Sequence, residues 1–291
     1  MSARPPAKRR AAATPRIGLA LGAGGARGLA HITVLEAFDD LGVKPAILSG
    51  ASMGAVIGAA YAAGVPGAEL RRHVLALTRN RAEMMGRLLK ARVGRFTDLL
   101  AGRAGNPVLI DAEIFLDLFW PEAVPDTFEE LALPFLAVAT DFAARCEAIF
   151  SSGPLAPAVA GSMAIPGLIK PVSAGTRVLI DGGAANPLPY DLLFGHADIV
   201  MACDVTFGPV AEGRAAPKPF EAMFGAAQIM QGAITAAKIG ARAPDILIRP
   251  GVEAFRALDF FKAAQIMRGA EGARDEVKRA LHAAVEAFSK A

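Results

Sequence analysis

The chain is short of cysteine, histidine and uncompensated charge, and each shortage closes off a class of function. Its two cysteines, Cys146 and Cys203, cannot form the disulfide framework of a small secreted domain and do not supply the usual zinc-site spacing. They read as buried structural thiols in a reducing compartment, which places the protein in the cytoplasm. A formal net charge of +3 gives no global reason to expect nucleic acid as a partner. Long apolar runs are also scarce. The one window of membrane-spanning length, residues 46–65, contains Ser49, Ser52 and several glycines, and its side chains are mostly small. A buried strand followed by a buried helix explains it better than a transmembrane segment. No internal repeat is visible.

What is present is a globular composition, with 53% hydrophobic residues rich in alanine and enough chain to bury a substantial core. Residues 1–16 stand apart. They carry five basic residues, three prolines and no acid, and lack the apolar centre of a secretory signal. A disordered basic arm is the expectation, with weak contact to an anionic membrane or nucleic acid as the alternative.

Residues 47–58 organise the rest. Ile47-Leu48 opens a buried strand, a small-residue helix runs from Met53 to about Ala63, and Gly50-x-Ser52-x-Gly54 lies between them. A serine on so tight a strand-to-helix turn holds a strained backbone, and flanking glycines let neighbouring chains approach. The turn lifts the hydroxyl out of the sheet to a helix N-terminus, where partial positive charge favours a developing anion. The competing reading is a serine that merely caps the helix.

A second glycine-rich turn, Gly22-Ala23-Gly24-Gly25-Ala26-Arg27-Gly28, joins the strand Ile17–Leu21 to a helix that Leu41-Gly42 ends. Backbone N–H groups in such a turn form an anion site. Dinucleotide binding is one use, but Arg27 occupies the third glycine position and no acidic residue closes the next strand. An oxyanion hole is the other, and it alone gives Ser52 something to work with. Val178-Leu179-Ile180 forms a strand that delivers Asp181 at its end, with Gly182-Gly183 following. This is either a carboxylate placed at a sheet edge or a plain Asp-Gly turn. Asp141, ending the strand 134–140, is a second candidate acid or another turn former.

Further helices are expected over 68–80, 111–119, 154–162, 217–238 and from 255 to the end, with strands at 198–204 and 245–249 and an extended run at 147–150. Thr127 to Glu130 has capping-box spacing. Strand and helix alternate throughout, which argues an α/β fold: a three-layer α/β/α sandwich with a mainly parallel sheet. From Arg71 to Arg103 nine basic residues face two acidic ones, with methionine, leucine and phenylalanine between them. A solvated helical face and a membrane-facing lid over 81–106 both fit that pattern.

Taken together, Gly24-Gly25-Ala26-Arg27-Gly28, Gly50-Ala51-Ser52-Met53-Gly54, Ser162-Met163-Ala164-Ile165-Pro166 and Asp181-Gly182-Gly183 resemble, in type and order, the motifs of the patatin-like phospholipase family, and the chain is most similar to its short bacterial members. The one departure is Ala23, where the family often has glycine. The resemblance implies a single hydrolase domain over 17–291 and a catalytic dyad, Ser52 and Asp181, without histidine. Gly24, Gly25 and Ala26 would form the oxyanion hole, with Arg27, Gly28, Gly50, Gly54, Gly182 and Gly183 supporting the motifs. Arg27 would stabilise its turn or, as an alternative, contact a lipid phosphate. The implied substrates are acyl esters of phospholipids and related lipids, with no cofactor, no metal and no nucleic acid, and a peripheral association with lipid surfaces fits. Of the histidines, His31, His73 and His282 read as helix residues and His196 is kept as an alternative third member. A catalytically inert regulator with the same fold is the alternative function.

Overall fold

The computed structural model describes residues 14–79, 84–86, 92–93, 109–207 and 219–290. Most of the basic arm and most of the 81–106 stretch lie outside those residues. The elements run β1 (Ile17–Leu21), α1 (His31–Asp40), β2 (Ile47–Ala51), α2 (Met53–Ala62), α3 (Gly67–Arg79), β3 (Arg92–Val93), β4 (Leu109–Ile110), α4 (Ala112–Phe119), β5 (Phe135–Asp141), β6 (Cys146–Phe150), α5 (Leu155–Ser162), β7 (Val172–Ala174), β8 (Arg177–Ile180), β9 (Ile199–Cys203), α6 (Pro219–Ala241), β10 (Ile246–Ile248), α7 (Ala263–Gly269) and α8 (Glu271–Lys290). Short 3₁₀ turns cover 25–30, 128–130, 182–184, 189–193 and 260–262.

The main sheet has the order β10–β9–β1–β2–β5–β8–β7, with β6 on the other edge of β5, and β3 and β4 form a separate ladder. The five strands from β10 to β5 are parallel. Strands β6, β7 and β8 add an antiparallel flank. That flank departs from the expected alternation, because two hairpins replace crossover helices. Arg145 and Gly175 supply the positive φ that their turns need. The 46–65 window is β2 followed by α2, and every residue of α2 is buried. Among the described residues no helix is long and apolar enough to cross a membrane.

The faces of β1 show how the layers are filled. Ile17, Leu19 and Leu21 join the core under α1 and α2. Ala20 faces the other way, against Leu188, Tyr190 and Leu193, with Ile239 of α6 closing that layer. Helices therefore cover both faces of the sheet.

Strand β5 sets the position of the site. Its pairing with β6 occupies one edge from Ala137 to Asp141. On the other edge β2 runs parallel and ends with Ala51 opposite Val138. Strand β8 arrives antiparallel on that same edge and ends with Ile180 opposite Thr140. The next residues, Ser52 and Asp181, thus meet end to end beside Ala139.

Candidate active site

Ser52 sits between β2 and α2 with φ 54° and ψ −125°, a left-handed conformation that a side chain disfavours. The surroundings hold it there. Its N–H donates to Ser162 Oγ at 2.9 Å, and Ser162 in turn donates to the Val138 carbonyl. Its carbonyl accepts the first bonds of α2, from Ala55 and Val56. Gly54 is needed because a Cβ there would collide with the Leu21 carbonyl at the end of β1. Ser52 Oγ donates to Asp181 Oδ2 at 2.6 Å, and both residues are buried.

Asp181 is fixed from three sides. Its N–H donates to the Ala164 carbonyl at 3.0 Å. Its carbonyl accepts from Thr140 Oγ1 at 2.9 Å, and its Oδ1 accepts from the Gly183 N–H at 2.8 Å. That leaves Oδ2 facing the serine. Burial raises the carboxyl to about 6, against the opposing pull of the Ser52 hydroxyl and the Gly183 N–H. A carboxyl poised there is a far better proton acceptor near neutrality than an ordinary aspartate.

The first glycine turn closes the site. A Cβ on Gly28 would stand 2.7 Å from the Met53 side chain, and Ala23 lies against Gly183, so all three turns converge. The N–H groups of Gly24 and Gly25 have no partner among the described residues. Gly25 has φ +57° and packs on the Ala257 carbonyl. The Ala26 N–H, expected as a third oxyanion donor, is instead bonded to Ala257 O at 2.7 Å; the loop 251–259 takes it away from the site. Ala23 is buried with Ala51 and Val138, so its methyl group fills a gap between turns.

Arg27 is fully buried and turned away from the dyad. It donates to the carbonyls of Val205, Thr206 and Phe255 at 2.9, 2.9 and 3.2 Å. Burial lowers its guanidinium to about 10, offset in part by Asp204 and Glu253, so it stays charged at neutral pH. It pins the glycine turn to two loops and has no free face for a lipid phosphate.

The histidines separate clearly. His31 is buried, and burial lowers it to about 4. Its neutral ring has Nε2 2.8 Å from the Gly22 carbonyl, which only accepts, so Nε2 carries the proton. Nδ1, 3.2 Å from Cys203 Sγ, then accepts from a thiol whose own pKa burial pushes well up. His31 thereby braces the start of the first glycine turn. His196 is exposed beside Ala197, which packs on Gly18 at the amino end of β1; the dyad lies at the carboxyl ends of the strands. His73 reaches the Leu118 carbonyl, and His282 is exposed on α8. No histidine bonds to Ser52 or Asp181. Asp141 accepts from the Ala143 and Ala144 N–H groups at 3.0 Å each, which makes it a turn former. Among the described residues no group of three or more His, Cys, Asp or Glu side chains is placed to hold a metal.

A family model described as patatin-like phospholipase matches residues 19–194, from β1 through both Ser52 and Asp181. The chain belongs to the patatin-like phospholipase family. Curated relatives include an uncharacterised NTE family protein of Mycobacterium bovis, 38% identical over 194 residues, covering 66% of this chain and 50% of that protein. Another is the neuropathy target esterase sws of Drosophila melanogaster, 31% identical over 199 residues, covering 65% of this chain and 13% of that one. The chain matches about half the length, or less, of these relatives. VipD from Legionella pneumophila shares the fold, with a TM-score of 0.50 at 13% identity over 91% of this chain and 67% of its own.

Two features of the site escape sequence reasoning. Ser162 was visible only as part of a motif; its bond to the Ser52 N–H needs the three-dimensional structure. Gln231 of α6 carried no signal, yet its Nε2 comes within 2.6 Å of where a Gly183 Cβ would stand.

Proposed function

We propose that this protein hydrolyses acyl esters of phospholipids or related lipids through a Ser52–Asp181 dyad and an acyl-enzyme. The observation that carries the reading is the 2.6 Å contact between Ser52 Oγ and a buried Asp181 of raised pKa. Ser52 attacks the ester carbonyl carbon as its proton passes to Asp181 Oδ2, and the carbonyl oxygen becomes an oxyanion. The free N–H groups of Gly24 and Gly25 are the donors for that oxyanion, aided by the N-terminus of α2. Collapse expels the alcohol, which takes the proton back from Asp181. Water then attacks the acyl-enzyme as Asp181 accepts its proton, and collapse releases the fatty acid while Asp181 returns that proton to Ser52 Oγ.

The test is labelling by a fluorophosphonate probe alongside turnover of a short-chain ester, on wild type, Ser52→Ala and Asp181→Asn. Wild type should label and turn over while both variants, still folded, fail. An inert wild type, or labelling of Ser52→Ala, would put a regulator with the same fold in place of the hydrolase.

A further inference from the structure

Helix α6 keeps polar side chains on its inner face and large apolar ones in the open. A surface helix normally turns apolar residues inward and polar ones outward. Here the inward face mixes polar Gln228, Gln231, Thr235 and Lys238 with Phe224, Gly232 and Ile239, all buried or half-buried. The outward face carries Met223, Ile229 and Met230, which are 48%, 74% and 59% exposed, set among exposed alanines. From Ala222 to Ala237, sixteen residues, there is no charged side chain.

The inner face reaches the active site at Gln231. Gln231 overlies Gly183, beside Asp181 Oδ1, and its amide bonds to no described residue. Thr235 Oγ1 is buried without a hydrogen-bond partner. Polar groups left unpaired under a helix are costly and suit a roof over a site that receives an ester. The outer face is then about one helix diameter, roughly 10 Å, from that site. Its ends carry cations. Lys170, exposed, follows the Gly167 loop on which Met223 rests. Arg242, exposed just past the C-terminus of α6, stacks on the Phe194 ring. Neither has a carboxylate partner among the described residues. An uncharged, exposed apolar face between two cations without carboxylate partners is complementary to acyl chains beneath anionic headgroups.

We propose that the outer face of α6 docks on an anionic lipid surface and thereby sets the mouth of the Ser52 site against the layer from which its substrate comes. This rests on the lipid hydrolase reading given above.

The experiment compares wild type with Ile229→Glu/Met230→Glu and the milder Ile229→Ser/Met230→Ser. Each is sedimented with vesicles of phosphatidylglycerol and phosphatidylcholine, and each is assayed on a soluble short-chain ester. Both positions are exposed, so the variants should fold, and unchanged melting checks this. Wild type should sediment with the vesicles. The glutamate pair should partition on the order of ten-fold more weakly or worse, with the serine pair between. Soluble-ester kcat/KM should stay within about two-fold of wild type. Equal sedimentation of all three proteins overturns the proposal, as does a wild type that ignores vesicles. A wild-type dimer that the glutamate pair dissociates, without vesicle binding, also overturns it, because the face then belongs to a second copy. Absent soluble-ester turnover would count against the hydrolase reading alone, since vesicle binding is read separately.

Discussion

Replacing Asp181 with asparagine should make the protein more stable at neutral pH while abolishing turnover. In the folded chain the carboxyl sits at about 6 against an ordinary value of 3.8. A raised folded value means that the native state holds its proton more tightly than the unfolded state does. Below pH 4 both states are protonated and the group favours the native state fully. Between pH 4 and 6 the unfolded state releases its proton first, so wild type loses stability at about 1.4 kcal/mol per pH unit. Above pH 6 the loss levels off at about 3 kcal/mol. Asparagine has no such dependence. Its Oδ1 still accepts from the Gly183 N–H, and its Nδ2 still reaches Ser52 Oγ. Urea denaturation of both proteins from pH 4 to 8 measures the difference, in which every other titrating group cancels. The variant's advantage should grow across pH 4–6 and then stay flat. Wild-type kcat/KM should fall about ten-fold per unit below pH 6, where Asp181 becomes protonated. A constant stability difference, or a wild type that gains on the variant as pH rises, would refute the burial argument.

Other consequences are more local. Ser162→Ala should cost about 1–3 kcal/mol in denaturant melts, since it strands the buried Ser52 N–H; initial rates should show kcat falling with KM little changed. Arg27→Met leaves three loop carbonyls without their donor and should cost roughly 3 kcal/mol or more, read as a lowered Tm. His196→Ala should leave kcat/KM on a short-chain ester within about two-fold, and a hundred-fold loss would restore it as a third catalytic member.

The parts legible in the sequence were those whose determinants are local. Gly50-x-Ser52-x-Gly54 is legible because a sharp strand-to-helix turn needs small residues at fixed offsets. Val178 to Gly183 is legible because branched residues followed by two glycines mark a strand end. What was not legible depends on contacts between distant segments. Ala26 looks like its neighbours Gly24 and Gly25, and only the loop carrying Ala257 shows that its N–H is already used. The capping pair Thr127 and Glu130 forms, but it opens only the 3₁₀ turn Phe128–Glu130; Pro134 denies the helix room to continue. The antiparallel flank was hidden because β7 has three residues and no periodicity to read. The orientation of α6 was hidden for a different reason. Its alanine-rich pattern fits either orientation, and the buried side is decided by what lies beneath it.

The elbow supplies one more test, in which the sign alone decides. Ser52 has positive φ, and strain of this kind costs on the order of 1–3 kcal/mol. The backbone is nonetheless held by the bond to Ser162, by the first turn of α2 and by the close approach of Gly54 to Leu21. Relaxing φ would break those contacts and swing the hydroxyl away from Asp181, so the strain is retained in the folded state. Ser52→Ala and Ser52→Gly both remove the hydroxyl and its bond to Asp181, and they differ chiefly in the Cβ. At an unstrained position glycine is the less stable of the two by roughly 0.5–1 kcal/mol, because it loses more freedom on folding. At a position with φ near 54° the removal of the Cβ relieves strain of that size or larger. Ser52→Gly should therefore match or exceed Ser52→Ala in stability, by up to about 2 kcal/mol in chemical denaturation. If the alanine variant is clearly the more stable, the backbone at Ser52 is not strained in solution, and the elbow holds its nucleophile by hydrogen bonding alone.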